Sequence, residues 1–463
     1  MKTVQQDTEN PLGYEKESKL LINFAIPCII SMLVTALYNI VDQIFIGQGV
    51  GMLGNAATNI AFPLSTTCTA IALLLGIGGA SNFSLKLGAG EEREAAKYSG
   101  NALTLIVIFG VCLFAVTEIF LTPMLRGFGA TEEVLPFART YTRITAIGFP
   151  FLIANTAISK QILADGSPKY SMMSMLVGAV INTILDPIFI FGFHMGMAGA
   201  ALATIIGQII SFCISLRYLF HFKHIALGRE CFHLDGGFVK NIFALGASAC
   251  FNQIAMTIVQ IVMNNTLSYY GARSVYGGEI PLACAGIITK VNMVFMAVII
   301  GISQGTQPIV GFNYGAQKYG RVKKTYLQAV GTASVLSFAA FICFQVFPRQ
   351  IISIFGQGSE LYFTFSERYF KIFLFLTIIN GIQPVTSNFF TSIGKSRLGI
   401  FMSLTRQILF LLPLIIIFPL IMGIDGVMYA GPIADGAAAI VCGYFMVREI
   451  RELTAKQAEV CWR

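Results

Sequence analysis

The chain is predicted to be an all-α polytopic membrane protein, with twelve transmembrane helices in two pseudosymmetric six-helix lobes. Three observations predict this. The composition is 55% hydrophobic and only 12% charged over 463 residues. Twelve apolar stretches are each long enough to cross a bilayer. An internal repeat brings the first six stretches onto the last six. Soluble domains carry about 25% charged residues, so lipid is the solvent for most of these side chains. A helix needs about 20 apolar residues to cross the hydrocarbon, and helices satisfy their own backbone there.

The stretches fall in order at 20–46, 57–83, 100–122, 137–159, 170–192, 197–219, 240–269, 282–305, 325–347, 362–390, 398–421 and 427–447. Segment 1–19 is polar and charged. It holds no short apolar region ending in a small-residue cleavage site, so it reads as a cytoplasmic N-terminal segment and not a signal peptide. Pro27, Pro63, Pro150, Pro384 and Pro413 lie within spans, where neighbouring helices make kinks tolerable. The resulting plan is a first lobe at 20–220, a cytoplasmic linker at 221–239, a second lobe at 240–447 and a cytoplasmic tail at 448–463.

Lysine and arginine set the orientation. With the N-terminus inside, 22 of the 31 fall on cytoplasmic segments, Lys160 and Lys169 among them. Seven fall outside, and two, Lys290 and Arg406, lie within spans. This bias places both termini in the cytoplasm of a multi-pass cell-membrane protein. The net charge of +8 then reflects loop placement. No basic run is interleaved with aromatics, which excludes nucleic acid as a partner. The ten cysteines are scattered without CxxC spacing and read as small apolar residues, not as disulfides or metal ligands. His221, His224, Cys231 and His233 sit in the basic linker, which lies against the lipid surface and forms no metal site.

The repeat has four anchors in one order. Leu75-Gly-Ile-Gly-Gly-Ala-Ser81 through Gly90 matches Ile300-Gly-Ile-Ser-Gln-Gly-Thr306 through Gly315 at an offset of 225. Tyr141–Ile144 matches Tyr369–Ile372, and Gly166–Lys169 matches Gly394–Arg397, both at 228. Met195–Gly199 matches Met422–Gly426 at 227. Six spans is an even number, so the halves share one orientation, related by an axis near the membrane normal.

The polar residues inside the spans carry the chemistry. At mid-bilayer an aspartate costs roughly 2.5–3.5 kcal/mol, so intramembrane acids are functional by default. Asp42, Tyr38, Thr35 and Ser31 share one face of the first helix. Asn182 and Asp186 are four apart on the fifth, with Gly178, Ser174 and Ser171 continuing that face. Asn155 in the fourth span and Thr204 in the sixth add further oxygens. Such a set suits a hard cation, and crowding two carboxylates away from water favours uptake of one proton. The transported ion is therefore H+ or Na+, with no other cofactor. In the second half an offset of 222 places Gln253, Thr257, Gln260 and Asn264 opposite Ser31, Thr35, Tyr38 and Asp42. Polarity is kept there and charge is lost, which assigns ion coupling to the first half.

With Tyr38-Asn-Ile-Val-Asp42, Leu87-Gly-Ala-Gly-Glu-Glu-Arg-Glu-Ala-Ala96, Gly166-Ser-Pro-Lys169 and Asn182-x-x-x-Asp186-Pro187 in order across nearly the whole chain, the sequence resembles the multidrug and toxic compound extrusion (MATE) transporters. It is most similar to the DinF-type prokaryotic branch. The resemblance implies a cation-coupled antiporter that exports amphipathic, often cationic, drugs or toxic compounds by rocking of two lobes, with a monomer as the default state. It also implies that the first-lobe site is built from Asp42, Asn182, Asp186, Thr204, Tyr141 and Asn155. The NorM-type branch has acids in the seventh and tenth spans, and none is read there, Glu279 being assigned to a loop.

Candidates for the substrate cavity are Thr35, Tyr38, Met173, Met175, Gln260, Asn264, Lys290, Gln383 and Ser387. Lys290 and Arg406 must snorkel, pair or face water, and Asp435 is the one obvious acidic partner in the second half. The stripe Asn380, Gln383, Ser387, Thr391 either contacts substrate or bonds between helices. A lipid-precursor flippase predicts extra spans and a strongly charged cavity. A channel predicts symmetric pore-lining rings. A membrane enzyme predicts a catalytic constellation or nucleotide-binding loop within the chain. Twelve spans with few buried basic residues weigh against the flippase, which stays the runner-up; acids confined to one half weigh against the channel, and no catalytic constellation or nucleotide-binding loop lies within the spans.

Overall fold

The computed structural model describes residues 10–277, 279–355 and 359–462. The first nine residues of the expected N-terminal segment, with Lys2, and Arg463 of the tail lie outside the described residues. Among those described there are helices and no strands. Twelve spans follow one another: α1 Glu17–Gly49, α2 Met52–Gly88, α3 Glu92–Ile119, α4 Leu135–Ala164, α5 Pro168–Gly192, α6 Gly196–Leu219, α7 Gly236–Gly271, α8 Glu279–Gly315, α9 Tyr319–Val346, the bent pair Glu360–Ile379 and Ile382–Ser392 as α10, α11 Ser396–Met422 and α12 Ile424–Val460.

Departures from regular helix have local causes. The two pieces of α10 meet at 41°. Pro384 has no N–H to give the Asn380 carbonyl, and the chain instead makes a tighter turn at Thr377–Ile379. α11 widens to a π-helix at Thr405–Leu411 just before Pro413, and α5 does so at Ile188–Gly192 just after Pro187. The repeat is visible in the backbone. Gly166 and Gly394 both take a left-handed φ, +79° and +82°, as do Gly196 and Gly423 at +54° and +62°, where a Cβ would be strained.

The halves meet along two glycine-lined seams, α1 on α8 and α2 on α7. A Cβ added at Gly301 would lie 2.6 Å from the Ile29 Cα, and one at Gly305 would lie 2.7 Å from the Ala25 Cα. Gly78 backs onto Ile242, and Gly246 onto Leu74. Side chains add cross-seam bonds: Gln307 Nε2 to Ser81 Oγ at 2.7 Å and Asn82 Nδ2 to the Asn241 carbonyl at 3.2 Å. Lys160 departs from its expected place on a cytoplasmic loop. It lies inside α4, only 5% exposed, and donates to Gln304 Oε1 of α8 at 2.7 Å. It faces a protein seam, which its polar neighbours Ser159 and Gln161 at the end of a span did not signal.

These contacts lie at the end of the bundle that carries the linker between halves. The linker is fastened to the first half. Asp165, fully buried at the end of α4, accepts from the Tyr218 hydroxyl (2.8 Å), the Lys223 N–H (2.7 Å) and the His224 N–H (3.2 Å), and meets His224 Nδ1 at 3.0 Å. Asn101 holds both the Cys231 carbonyl and the Asp235 N–H.

Candidate functional site: an acidic pair within the first half

Asp42 points away from the seam. It lies thirteen residues beyond Ile29 on α1, which at 100° per residue turns its side chain about 140° from the face that touches α8. On that side α1 packs against α5, where Asp186 closes the regular helix ahead of Pro187. The two carboxyl groups come within hydrogen-bonding range of each other. Asp186 is fully buried. Asp42 Oδ1 is buried with no donor facing it.

The remaining ligands close round the pair. Asn182, one turn before Asp186, is satisfied when its amide nitrogen faces Asp186 Oδ2 at 3.3 Å and its oxygen faces the Thr204 N–H of α6 at 3.2 Å. The Thr204 hydroxyl bonds back to the Ala200 carbonyl, and the Tyr141 hydroxyl of α4 lies near it. Tyr38, one turn before Asp42, stands beside both carboxyls. Two ionised carboxylates about 4 Å apart repel by about 4 kcal/mol at an effective dielectric near 20. A hydrogen bond between them needs a proton on one. The arrangement can therefore hold one proton, or one small cation in its place.

Five of the six expected coupling residues, Asp42, Asn182, Asp186, Thr204 and Tyr141, come together here. Asn155 does not. It lies fourteen residues along α4 from Tyr141, about 21 Å at 1.5 Å per residue, and accepts from the Ser215 hydroxyl of α6 at 2.6 Å. Thr35 bonds back to the Ser31 carbonyl, and Ser31 to that of Pro27.

The second half uses its polar groups internally. Gln260 donates to Asn264 at 2.9 Å. Gln383 donates to the Met402 carbonyl at 2.7 Å, and Ser387 to that of Gly399 at 3.1 Å, tying α10 to α11 ahead of the π-helix. Arg406 Nε donates to Asp435 Oδ1 at 2.5 Å, and Asn380 bonds the other oxygen at 3.4 Å, so Asp435 is the partner of Arg406. Met173 is 54% exposed and Met175 half-buried; they do not share a face. Two acids are corrected. Glu279 is the first residue of α8, not a loop residue. Glu367 lies inside the first piece of α10, 3.5 Å from Arg349, where its position near a run of polar residues hid it from a reading by apolarity.

Residues 27–188 and 248–417, well over half the chain, match the family described as MatE. The chain is 24% identical to the multidrug export protein MepA of Staphylococcus haemolyticus, over 98% of this chain and 99% of that one. It is 26% identical to a protein of Shewanella oneidensis named FAD transporter, over 95% and 97%. Among solved structures it is similar to an outward-facing multidrug resistance MATE family transporter of the MOP superfamily, with a TM-score of 0.88 at 23% identity, covering 95% of this chain and 97% of that one. A MOP superfamily transporter from Pyrococcus furiosus gives 0.89 at 23% identity, covering 96% and 98%. At these identities the structural likeness carries the fold.

Proposed function

The chain belongs to the MatE family, whose members are transporters and not enzymes, and on that premise we propose that it is an antiporter of the cell membrane in which proton entry drives export of amphipathic compounds. Asp42 and Asp186 hold the coupling proton. Asn182, Thr204, Tyr141 and Tyr38 orient the pair and keep it out of water. The observation that carries this reading is the approach of two carboxyl groups within hydrogen-bonding range inside the first half, with one oxygen buried and lacking any donor. A proton between them supplies the missing partner. The grouping of the acids in the first half agrees with the DinF-type arrangement, both termini are cytoplasmic, and the protein works as a monomer. A relative named a multidrug export protein supports drug-like cargo, while one named a FAD transporter means the cargo need not be a drug.

The test is transport by purified protein in liposomes loaded with a dye cation, under an imposed H+ gradient or an imposed Na+ gradient. H+ drives transport, and Asp42→Asn and Asp186→Asn each abolish it while the protein stays folded in the membrane. Transport driven only by Na+, or normal transport by both variants, refutes the assignment.

A further inference from the structure

The charges left over by the coupling site fall into two kinds. Arg406 and Asp435 neutralise each other within the second half. Lys160 and Lys290 do not have an acid. Lys160 has only the amide oxygen of Gln304, and among the described residues Lys290 has no hydrogen bond or ion pair. Lys160 lies where α4 meets α8, and Lys290 lies on α8, the helix that packs against α1 across the seam.

The position of Lys290 follows from the seam. Gly301 faces Ile29 and Gly305 faces Ala25, an antiparallel register in which each step forward on α1 is a step back on α8. Lys290 is eleven residues before Gly301. That is three turns, so it keeps the same face of α8 within about 20° and lies about 16 Å further along. The register sets it opposite Ile40. The seam opens from here. Gln43, three residues beyond Ile40 on α1, is exposed, and nothing lies within 4 Å of a Cβ added at Gly286, one turn beyond Lys290. A half-buried ammonium with no partner thus stands where the closed seam gives way to open space. Lys160 marks the other side of the closed contact. It is sealed while the seam is shut, and its ammonium is bared when Gln304 moves away with α8. Asp42 and Asp186 point into the first half and do not neutralise either lysine.

Resting on the antiport reading above, we propose that the exported compounds include amphiphiles bearing a carboxylate or phosphate. Lys290 binds that anionic group in the cavity open on its side, and Lys160 receives it when the opposite end is open. A bare ammonium in a partly desolvated wall is a poor neighbour for a cation and a strong one for an anion. The apolar faces beside it, such as Ile40, take the body of the ligand.

The experiment uses the full chain in liposomes under the same H+ gradient, with two fluorescent probes, carboxyfluorescein as the anion and ethidium as the cation. Wild type transports carboxyfluorescein. Lys290→Gln lowers the ratio of carboxyfluorescein to ethidium rates by about tenfold, the effect of losing one charge-assisted hydrogen bond, and Lys290→Arg keeps the ratio near wild type. If wild type moves ethidium but not carboxyfluorescein, or if Lys290→Gln lowers both equally, this proposal fails and the antiport reading stands. If neither probe responds to the H+ gradient, the antiport reading itself has failed.

Discussion

Substituting alanine at Gly301 and Gly305 tests whether the glycine seam is the part that opens. The added carbons would sit 2.6 Å and 2.7 Å from backbone atoms of Ile29 and Ala25, which cannot rotate aside as a flexible side chain could. Ordinary contact needs about 3.5–4.0 Å, so α1 and α8 must separate by about 1 Å at that point. Overpacking of this kind costs typically 1–3 kcal/mol. The cost falls on the closed seam and not on a conformer whose halves have parted. The equilibrium should therefore move toward seam-open protein by about 5- to 150-fold. Cys28 reports the change. It is 8% exposed between the two substituted contacts and packs in a cluster with residues of both halves, Phe24, Phe83 and Phe312. In a variant retaining Cys28 as its sole cysteine, a membrane-impermeant maleimide should label the double alanine protein faster than its parent by a factor within that range. Equal labelling rates with unchanged transport would show that the seam is a fixed joint and would refute the reasoning.

Four further outcomes follow. Asn264→Ala, opposite Asp42 in the repeat, should leave most H+-driven transport, since it removes a hydrogen bond to Gln260 worth about 1 kcal/mol and no charge; a loss as severe as that of Asp42→Asn would break the assignment of coupling to the first half. Arg406→Met should destabilise the protein by about 3–5 kcal/mol by leaving Asp435 buried and alone, and adding Asp435→Leu should restore most of it; thermal unfolding in detergent reads both. Asp165→Ala should free the linker, because each buried donor left unpaired costs about 1–3 kcal/mol, and trypsin should then cut at Lys223 and Arg229 at least several-fold faster. Gly166→Ala should cost about 1–2 kcal/mol through its left-handed backbone, readable as a lower unfolding midpoint.

Most of the fold was legible because a bilayer simplifies the code. Length and apolarity suffice for spans, and the repeat supplies the arrangement of halves. The acidic pair was legible for the same reason, since Asp42 and Asp186 have no cheap place in hydrocarbon. What stayed hidden depends on which helix stands opposite. Lys160 is flanked by Ser159 and Gln161 in a segment that reads as a span end, and only the approach of α8 makes it a seam residue. Asn155 sits on the same helix as Tyr141, but depth along a helix is set by residue count, and fourteen residues put it in another layer. Gln383 and Ser387 look like cavity residues in a helical projection. The break at Pro384 turns them toward carbonyls of α11.

The contrast between the halves bears on how one motion is coupled to one ion. Both halves keep an acid deep in the membrane, Asp186 in the first and Asp435 in the second, both almost wholly buried. Asp435 already has a guanidinium within 2.5 Å and an amide on its second oxygen. A proton arriving there would have to displace a buried ion pair and strand Arg406, at a cost of several kcal/mol. Asp186 has an amide, the Tyr38 phenol and a second carboxyl for neighbours, so a proton arriving there supplies a bond that is otherwise missing. On the proton-antiport proposal, the fixed charge pair would let the second half move as a rigid wall, and the first half would be the one whose interior energy changes when a proton comes or goes. Because the halves share one orientation about an axis near the membrane normal, this asymmetry decides which half senses the ion, while the ion gradient sets the direction of transport.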